Sequence, residues 1–137
     1  MVAIAWEHAV VERLLRFEYN LWQIYGTASG TADAQEQALS AAIDLVSPGG
    51  WTPTYPALGG ALSWARTGQA ANPDDIYAVV FVTDGEPTQC ELSTNEIAKL
   101  ALSAYMDAGV RTYTIGMEGA NTTTLDTIAR AGGTGSP

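Results

Sequence analysis

Residues 76–85 of this chain read Ile76-Tyr77-Ala78-Val79-Val80-Phe81-Val82-Thr83-Asp84-Gly85 and carry the clearest signal for its fold. The first seven of these residues form a nearly continuous apolar run that is rich in β-branched side chains. Such a run is typical of a strand that helices cover on both faces of a sheet. The dipeptide Asp84-Gly85 is a turn signal that ends the strand. We therefore expect a buried strand of a parallel sheet here.

Helical patterns flank this strand on both sides. A helix should begin just after Thr54 and end at Asn72. After the strand, Ser93 and Glu96 form a capping box that begins a second helix, and Gly109 is placed to end it. The apolar residues that recur at helical spacing, and should face the core, are Leu58, Ala61, Leu62, Ala65, Ile97, Leu100, Ala101, Ala104 and Tyr105.

Predicted strands and helices continue to alternate in the C-terminal part of the sequence. Residues 110–116 predict a second buried strand with Val110, Tyr113 and Ile115 facing inward, and residues 122–131 predict a short helix that Gly132-Gly133 ends. Strands that alternate with helices indicate the α/β class, with a parallel sheet and right-handed crossovers. In such sheets, ligands bind beyond the carboxyl ends of the strands.

The pattern of apolar residues is less regular in the N-terminal third of the sequence. Apolar residues at helical spacing predict an amphipathic helix over residues 2–16. Residues 18–25 are aromatic-rich and fit either an extension of that helix or a short strand. After a loop at residues 26–30, Thr31 or Asp33 can cap another helix. Its inner face would carry Ala38, Ala41, Ala42 and Leu45.

Composition excludes several classes of function. The 137 residues suit one domain, and the net charge of −9 with only six Lys and Arg argues against a nucleic-acid partner. No stretch reaches the roughly 18 uncharged apolar residues of a membrane helix, and residues 1–5 are too short for a signal-peptide core. Cys90 is the only cysteine, so we expect a free thiol and neither a disulfide nor a zinc cluster.

Oxygen-bearing side chains follow the central strand and precede the helix that begins after Thr54. Asp84 should project from the carboxyl end of the strand, and the loop at residues 49–55 carries Thr52. A carboxylate and a hydroxyl beside water molecules suit Mg²⁺ or Mn²⁺, which prefer hard oxygen ligands. Alternatively, Asp84 is a turn residue, and Thr52 and Thr54 are helix-capping hydroxyls. The residues alone leave both interpretations open.

Four segments in sequence order resemble the von Willebrand factor A family. Residues 49–58, Gly-Gly-Trp-Thr-Pro-Thr-Tyr-Pro-Ala-Leu, resemble its threonine loop, and residues 80–87, Val-Phe-Val-Thr-Asp-Gly-Glu-Pro, resemble its aspartate-bearing strand end. Residues 109–116 and 125–135 resemble its next strand and helix. The resemblance, especially to bacterial members, implies a Rossmann-like sheet flanked by helices. It divides the chain into a divergent helix and loop at residues 1–30 and a partial domain at residues 31–137.

The resemblance also implies an incomplete metal site. In this family, a metal-ion-dependent adhesion site combines an Asp-x-Ser-x-Ser segment after the first strand with a threonine and an aspartate from later loops. Thr52 and Asp84 hold the last two positions, whereas Asp-x-Ser-x-Ser occurs nowhere in the sequence. We expect weak binding of Mg²⁺ or Mn²⁺, because Asp84 is the only anionic ligand among the matched positions.

The first strand of the family is also expected to be absent, which would leave residues 76–82 with an unpaired edge. Self-association or instability is the expected consequence. The family's last strand and helix would lie beyond Pro137, so the resemblance implies a truncated domain.

The implied function is protein binding or adhesion, in which the cation coordinates an acidic group of a partner protein. The family suggests an exported or cell-surface setting. The alternative is a structural or assembly unit, derived from such a domain, that works without metal. Trp51, beside Thr52, would either contact a partner or pack internally.

An enzyme is not expected. A hydrolase would have to use Asp84, Glu86, Cys90 or His8, and nucleophilic catalysis usually needs a base paired with the nucleophile. The only histidine, His8, is far in sequence from Cys90. The chain also lacks the glycine-rich motifs of nucleotide-binding loops.

Overall fold

A computed structural model describes residues 2–6 and 51–135 of the chain. Within these residues, strands and helices alternate along the chain. The elements are β1 (Val2–Trp6), α1 (Thr54–Ala71), β2 (Ala78–Thr83), α2 (Thr94–Ala108), β3 (Arg111–Gly116) and α3 (Thr122–Ala131). The predicted mixed α/β class is confirmed, and the three helices predicted within residues 51–135 begin and end close to the expected residues.

The three strands form a parallel sheet in the order β1-β2-β3. β1 pairs with β2 from Val2 opposite Ala78 to Trp6 opposite Val82. β2 pairs with β3 from Ala78 opposite Arg111 to Thr83 opposite Gly116. Because all three strands run in the same direction, their carboxyl ends meet at one edge of the sheet.

Two predictions about the N-terminus are wrong. Val2–Trp6 is a strand rather than the start of an amphipathic helix, and it gives β2 the neighbour that we expected to be missing. The helical and strand periods cannot be separated over so short an apolar run, so pairing with the distant β2 decides the conformation. The remainder of the predicted helix, and the interpretations of residues 18–50, lie outside the described residues.

The core lies between the helices and one face of the sheet. Val79 and Phe81 alternate inward along β2 and are fully buried. The helices supply most of the other buried residues, namely Leu58, Ala61, Leu62, Ala65, Ile97, Ala98, Ala101, Ala104, Leu125 and Ile128. The predicted inner faces of α1 and α2 are confirmed for every position except Leu100 and Tyr105, which are only partly buried.

The prediction of buried residues at β3 is confirmed for Val110 but wrong for Tyr113 and Ile115. Val110 and Thr112 are fully buried, whereas Tyr113 is 44% exposed and Ile115 is 51% exposed. Side chains alternate between the two faces of a strand, so Tyr113 and Ile115 point away from the helices that cover Thr112. They lie beside Val80 and Val82 on the second face of the sheet.

Local capping explains both ends of α2 and the start of α3, whereas α1 begins after Pro53 without a side-chain capping hydrogen bond. The Ser93 hydroxyl accepts a hydrogen bond from the Glu96 backbone N–H at 3.4 Å, and Gly109 ends α2 with a φ of 69°. Only this half of the predicted capping box forms, because the Ser93 N–H donates to Glu91 instead. At α3, the Asn121 side chain accepts from the first turn. Within the described residues, no helix combines the length and apolar character needed to cross a membrane.

Candidate functional site

Asp84 lies at the carboxyl edge of the sheet, as predicted. β2 ends at Thr83, and the chain turns at once. The Thr83 hydroxyl accepts a hydrogen bond from the Gly85 N–H and donates one to the Gly85 carbonyl, both at 3.2 Å. This local turn is typical of threonine and fixes the half-buried Asp84 at the end of the strand.

Thr52 reaches the same edge from the segment before α1. Its N–H donates to the Thr88 hydroxyl at 2.8 Å, and the Thr88 N–H donates to the Thr52 carbonyl at 3.0 Å. A Cβ atom built on Gly85 would lie 3.7 Å from Thr52 Oγ1, so the Thr52 hydroxyl borders the residue that follows Asp84. The loops that carry the two predicted ligands are therefore in contact.

A third loop, residues 117–121, also contacts the turn that carries Asp84. The Met117 N–H donates to the Thr83 carbonyl at 2.9 Å. Gly119 has a φ of 101°, and a Cβ atom there would lie 2.9 Å from the Asp84 carbonyl oxygen. Both the left-handed backbone and the close approach require glycine at this position.

Glu86 is tied to the N-terminus of α3. Asn121 Nδ2 donates a hydrogen bond to Glu86 Oε1. The Asn121 side-chain oxygen also accepts from the N–H groups of Thr123 and Thr124, at 2.9 and 3.1 Å. Asn121 therefore joins the loop that follows β2 to the helix that follows β3. One carboxylate oxygen of Glu86 is thereby already engaged.

Sequence reasoning missed two residues that shape this edge. Asn121 precedes a run of threonines and could have been recognised as a helix N-cap from the sequence. Thr88 carries no comparable signal, because its partner Thr52 lies 36 positions away in the chain. Hydrogen bonds across such separations depend on the tertiary fold.

The side chains at this edge include oxygen ligands of the type that a hard divalent cation prefers. They are too few to hold such an ion without further ligands. The Thr52 hydroxyl and the Asp84 carboxylate are oxygen donors of the kind that Mg²⁺ prefers, and Mg²⁺ also keeps several water ligands. Across residues 51–135, no group of three or more His, Cys, Asp or Glu side chains is placed to hold a metal ion. The residues that follow Trp6 read Glu-His-Ala-Val-Val, so Asp-x-Ser-x-Ser is also absent after the observed β1.

Two further residues at or near this edge are accessible. Trp51 is 62% exposed, so its side chain is not packed in the interior. Cys90 is an exposed free thiol with a left-handed φ of 64°. No histidine occurs between residues 51 and 135, so this part of the chain offers Cys90 no imidazole base.

No family model matches the chain, and no curated protein is found to be similar to it. What the chain does is therefore inferred from its motifs and from the geometry of its loops. Of these, the contact between the Thr52 and Asp84 loops is the most specific.

Proposed function

We propose that this chain is a protein-binding module of the von Willebrand factor A type, in which a divalent cation at Thr52 and Asp84 binds an acidic group of a partner protein. The observation that carries the proposal is the pair of hydrogen bonds between Thr52 and Thr88, which brings the Thr52 loop against the Asp84 turn. The position of both loops beyond the carboxyl ends of parallel strands also supports it.

The chemistry of the site favours an acidic partner group. A bound Mg²⁺ or Mn²⁺ ion would supply concentrated positive charge at the sheet edge. Asp84 cancels one unit of that charge, and the Thr52 hydroxyl is neutral, so an ion held by these two residues keeps a positive charge. A partner carboxylate would add a second anionic ligand. Binding of the cation and of the partner should therefore strengthen each other by the same factor.

Calorimetric titration of Mg²⁺ and Mn²⁺ into the purified chain tests the metal site. Saturable binding should be lost in Asp84→Ala and weakened in Thr52→Val. It should persist in Asp74→Ala, which removes an exposed carboxylate from the turn after α1. Circular dichroism of each sample establishes that the variants are folded. A folded wild-type chain that binds neither ion would refute the proposal.

A second candidate is a structural or assembly unit that works without metal. The unpaired β2 edge no longer supports it, because β1 occupies that edge. The observation in its favour is the exposed pair Tyr113 and Ile115 on the second face of the sheet, since apolar surface of this kind often marks a contact. Under this alternative, the chain would oligomerise with increasing concentration, chelators would have no effect, and Ile115→Lys would give monomers.

A further inference from the structure

The three described helices cover only one face of the sheet. α1 packs against α2, and α2 packs against α3, so the helices lie side by side. On that face they bury Val79 and Phe81 of β2. The second face carries four apolar residues that are half-buried or exposed, namely Val80, Val82, Tyr113 and Ile115.

These four residues form one continuous apolar patch. Val80 of β2 pairs with Tyr113 of β3, and Val82 pairs with Ile115. Residues paired in this way lie side by side on the same face of a sheet. Purely parallel sheets occur almost only with both faces covered. A further element is therefore expected over this patch.

The chain between β1 and α1 begins and ends beside the patch. Trp6, the last residue of β1, pairs with Val82 near the carboxyl end of β2. Thr52, which precedes α1, contacts Thr88 at the same edge of the sheet. α1 alone then returns the chain to the start of β2. Residues 7–50 are therefore not needed to connect β1 with β2, and they are long enough to cross the second face and come back.

One stretch of this segment matches the patch in length and apolar pattern. Val10, Leu14, Phe17 and Leu21 recur every three or four residues, a spacing that predicts a helix with a single apolar stripe. As a helix, residues 10–21 would be about 18 Å long, and the six residues of β2 extend about 20 Å. Because this stretch follows β1 closely in sequence, the helix would start at the carboxyl edge and run back along the strands.

The second helical pattern of the segment is a poorer match. The inner face predicted for residues 31–46 consists mainly of alanine, with Leu45 as its one large member. Alanine side chains bury less apolar area than leucine and phenylalanine. The larger side chains of residues 10–21 are better suited to cover the valine, tyrosine and isoleucine of the patch.

Charge at the amino end of the patch supports the same match. Arg111 of β3 is exposed on this face, two residues before Tyr113. The other three basic side chains of residues 51–135 pair with acidic groups, whereas no described carboxylate pairs with Arg111. Ile115 and Arg111 are about 13 Å apart along a strand, and Val10 and Glu18 are about 12 Å apart along a helix. A helix with Val10 over Ile115 would therefore bring Glu18 close to Arg111.

We propose that residues 10–21 form a helix that covers the second face of the sheet, with Val10 over Ile115, Leu14 over Tyr113 and Glu18 beside Arg111. The patch is then part of the interior of the chain and does not serve as a contact with another molecule. This proposal is independent of the metal site, and it competes with the assembly unit described as the second candidate.

The test measures how accessible the patch is in the full chain. Cys90→Ser removes the native thiol, and Ile115→Cys places a new one on the patch. A water-soluble maleimide should label this thiol about tenfold more slowly than Met106→Cys, which lies at a position that is 70% exposed on α2. Leu14→Glu should remove most of that protection. Arg16→Glu, which lies away from the apolar stripe, should leave it unchanged.

Three outcomes of the labelling would overturn the proposal. The first is labelling of Ile115→Cys as fast as that of Met106→Cys. The second is protection that persists in a folded Leu14→Glu chain, which would show that another segment covers the patch. The third is protection that appears only as size-exclusion chromatography shows a dimer at rising concentration, which would assign the patch to a second copy.

Cross-linking tests the predicted alignment even if Leu14→Glu fails to fold. In the Cys90→Ser chain, a short bis-maleimide should join Val10→Cys to Ile115→Cys within one molecule. Leu21→Cys, on the same stripe but about 16 Å further along the helix, should be joined to Ile115→Cys much more slowly. Mass spectrometry of the digested protein identifies the linked peptides. Equal rates for the two pairs, or links only between molecules, would overturn the proposal.

Discussion

Gly68 of α1 lies so close to Tyr77 that a Cβ atom at position 68 would fall 2.3 Å from Cε1 of the tyrosine ring. The ring has little room to move. It makes an edge contact with Trp64 at a centroid distance of 5.8 Å, and its hydroxyl accepts a hydrogen bond from Asn72 at 3.3 Å. The last turns of α1 therefore pack closely against Tyr77, the residue that precedes β2.

Gly68→Ala should consequently destabilise the chain by about 1–3 kcal/mol, the usual cost of overpacking. Gly59→Ala in the same helix is the matched control. Its Cβ would make only an ordinary contact with Leu100, so the gain in helix propensity should stabilise the chain by about 0.5–1 kcal/mol. Urea denaturation followed by circular dichroism measures both. Equal effects of the two substitutions would contradict the packing described for Tyr77.

Thr112→Val should stabilise the chain by about 1 kcal/mol. Thr112 is fully buried, and its Oγ1 finds no hydrogen-bond partner among the described residues. Valine has nearly the same shape and removes the cost of burying that hydroxyl. Thr83→Val is the control, since the buried Thr83 hydroxyl bonds both the N–H and the carbonyl of Gly85. The midpoint temperature of thermal unfolding should rise for Thr112→Val and fall for Thr83→Val.

Thr88→Val should lower the stability of the chain by about 1 kcal/mol and weaken Mg²⁺ binding. The substitution keeps the shape of the side chain but removes the acceptor for the Thr52 N–H, so the Thr52 loop is less firmly held beside Asp84. Thr67→Val, which removes a hydroxyl bonded within α1, should leave Mg²⁺ affinity unchanged. Calorimetry on the two variants decides whether Thr88 acts on the site; an unchanged affinity in Thr88→Val would show that it does not.

Deletion of residues 1–6 should make the chain aggregate. β1 pairs with β2 along the whole of Val2–Trp6, so its removal leaves one edge of β2 without a partner strand. Unpaired strand edges are templates for association between molecules. Light scattering and size-exclusion chromatography of the truncated and full chains provide the comparison. A truncated chain that is as monomeric and as stable as the full chain would argue against this pairing.

The helices were predictable because their signals are local. Ser93 and Gly109 mark the ends of α2 by chemistry that acts within a few residues, and apolar spacing marks the buried faces of the helices. The position of Asp84 at this edge followed from the rule that parallel strands end together, because Asp84 directly follows β2.

The remaining features depend on partners that are distant in the chain. Val2–Trp6 fits either a helix or a strand until β2 is beside it, and the Thr52–Thr88 contact has no local signature. The orientation of Tyr113 and Ile115, by contrast, could have been predicted from the sequence. Side chains alternate between the two faces of a strand, which places these two residues on the face opposite to that of Thr112.

The pairing of β1 with β2 also sets the order in which the chain can assemble. Val2 pairs with Ala78, 76 positions later in the chain, whereas β2, α2, β3 and α3 follow one another closely. Contacts between residues so far apart carry a large loop-closure cost and slow folding. On the ribosome, β1 is synthesised before β2, so its backbone hydrogen-bonding groups have no partner strand until β2 emerges. Formation of the β1–β2 ladder is therefore expected to be a late folding step, and the interval before it is when this chain most needs protection from aggregation.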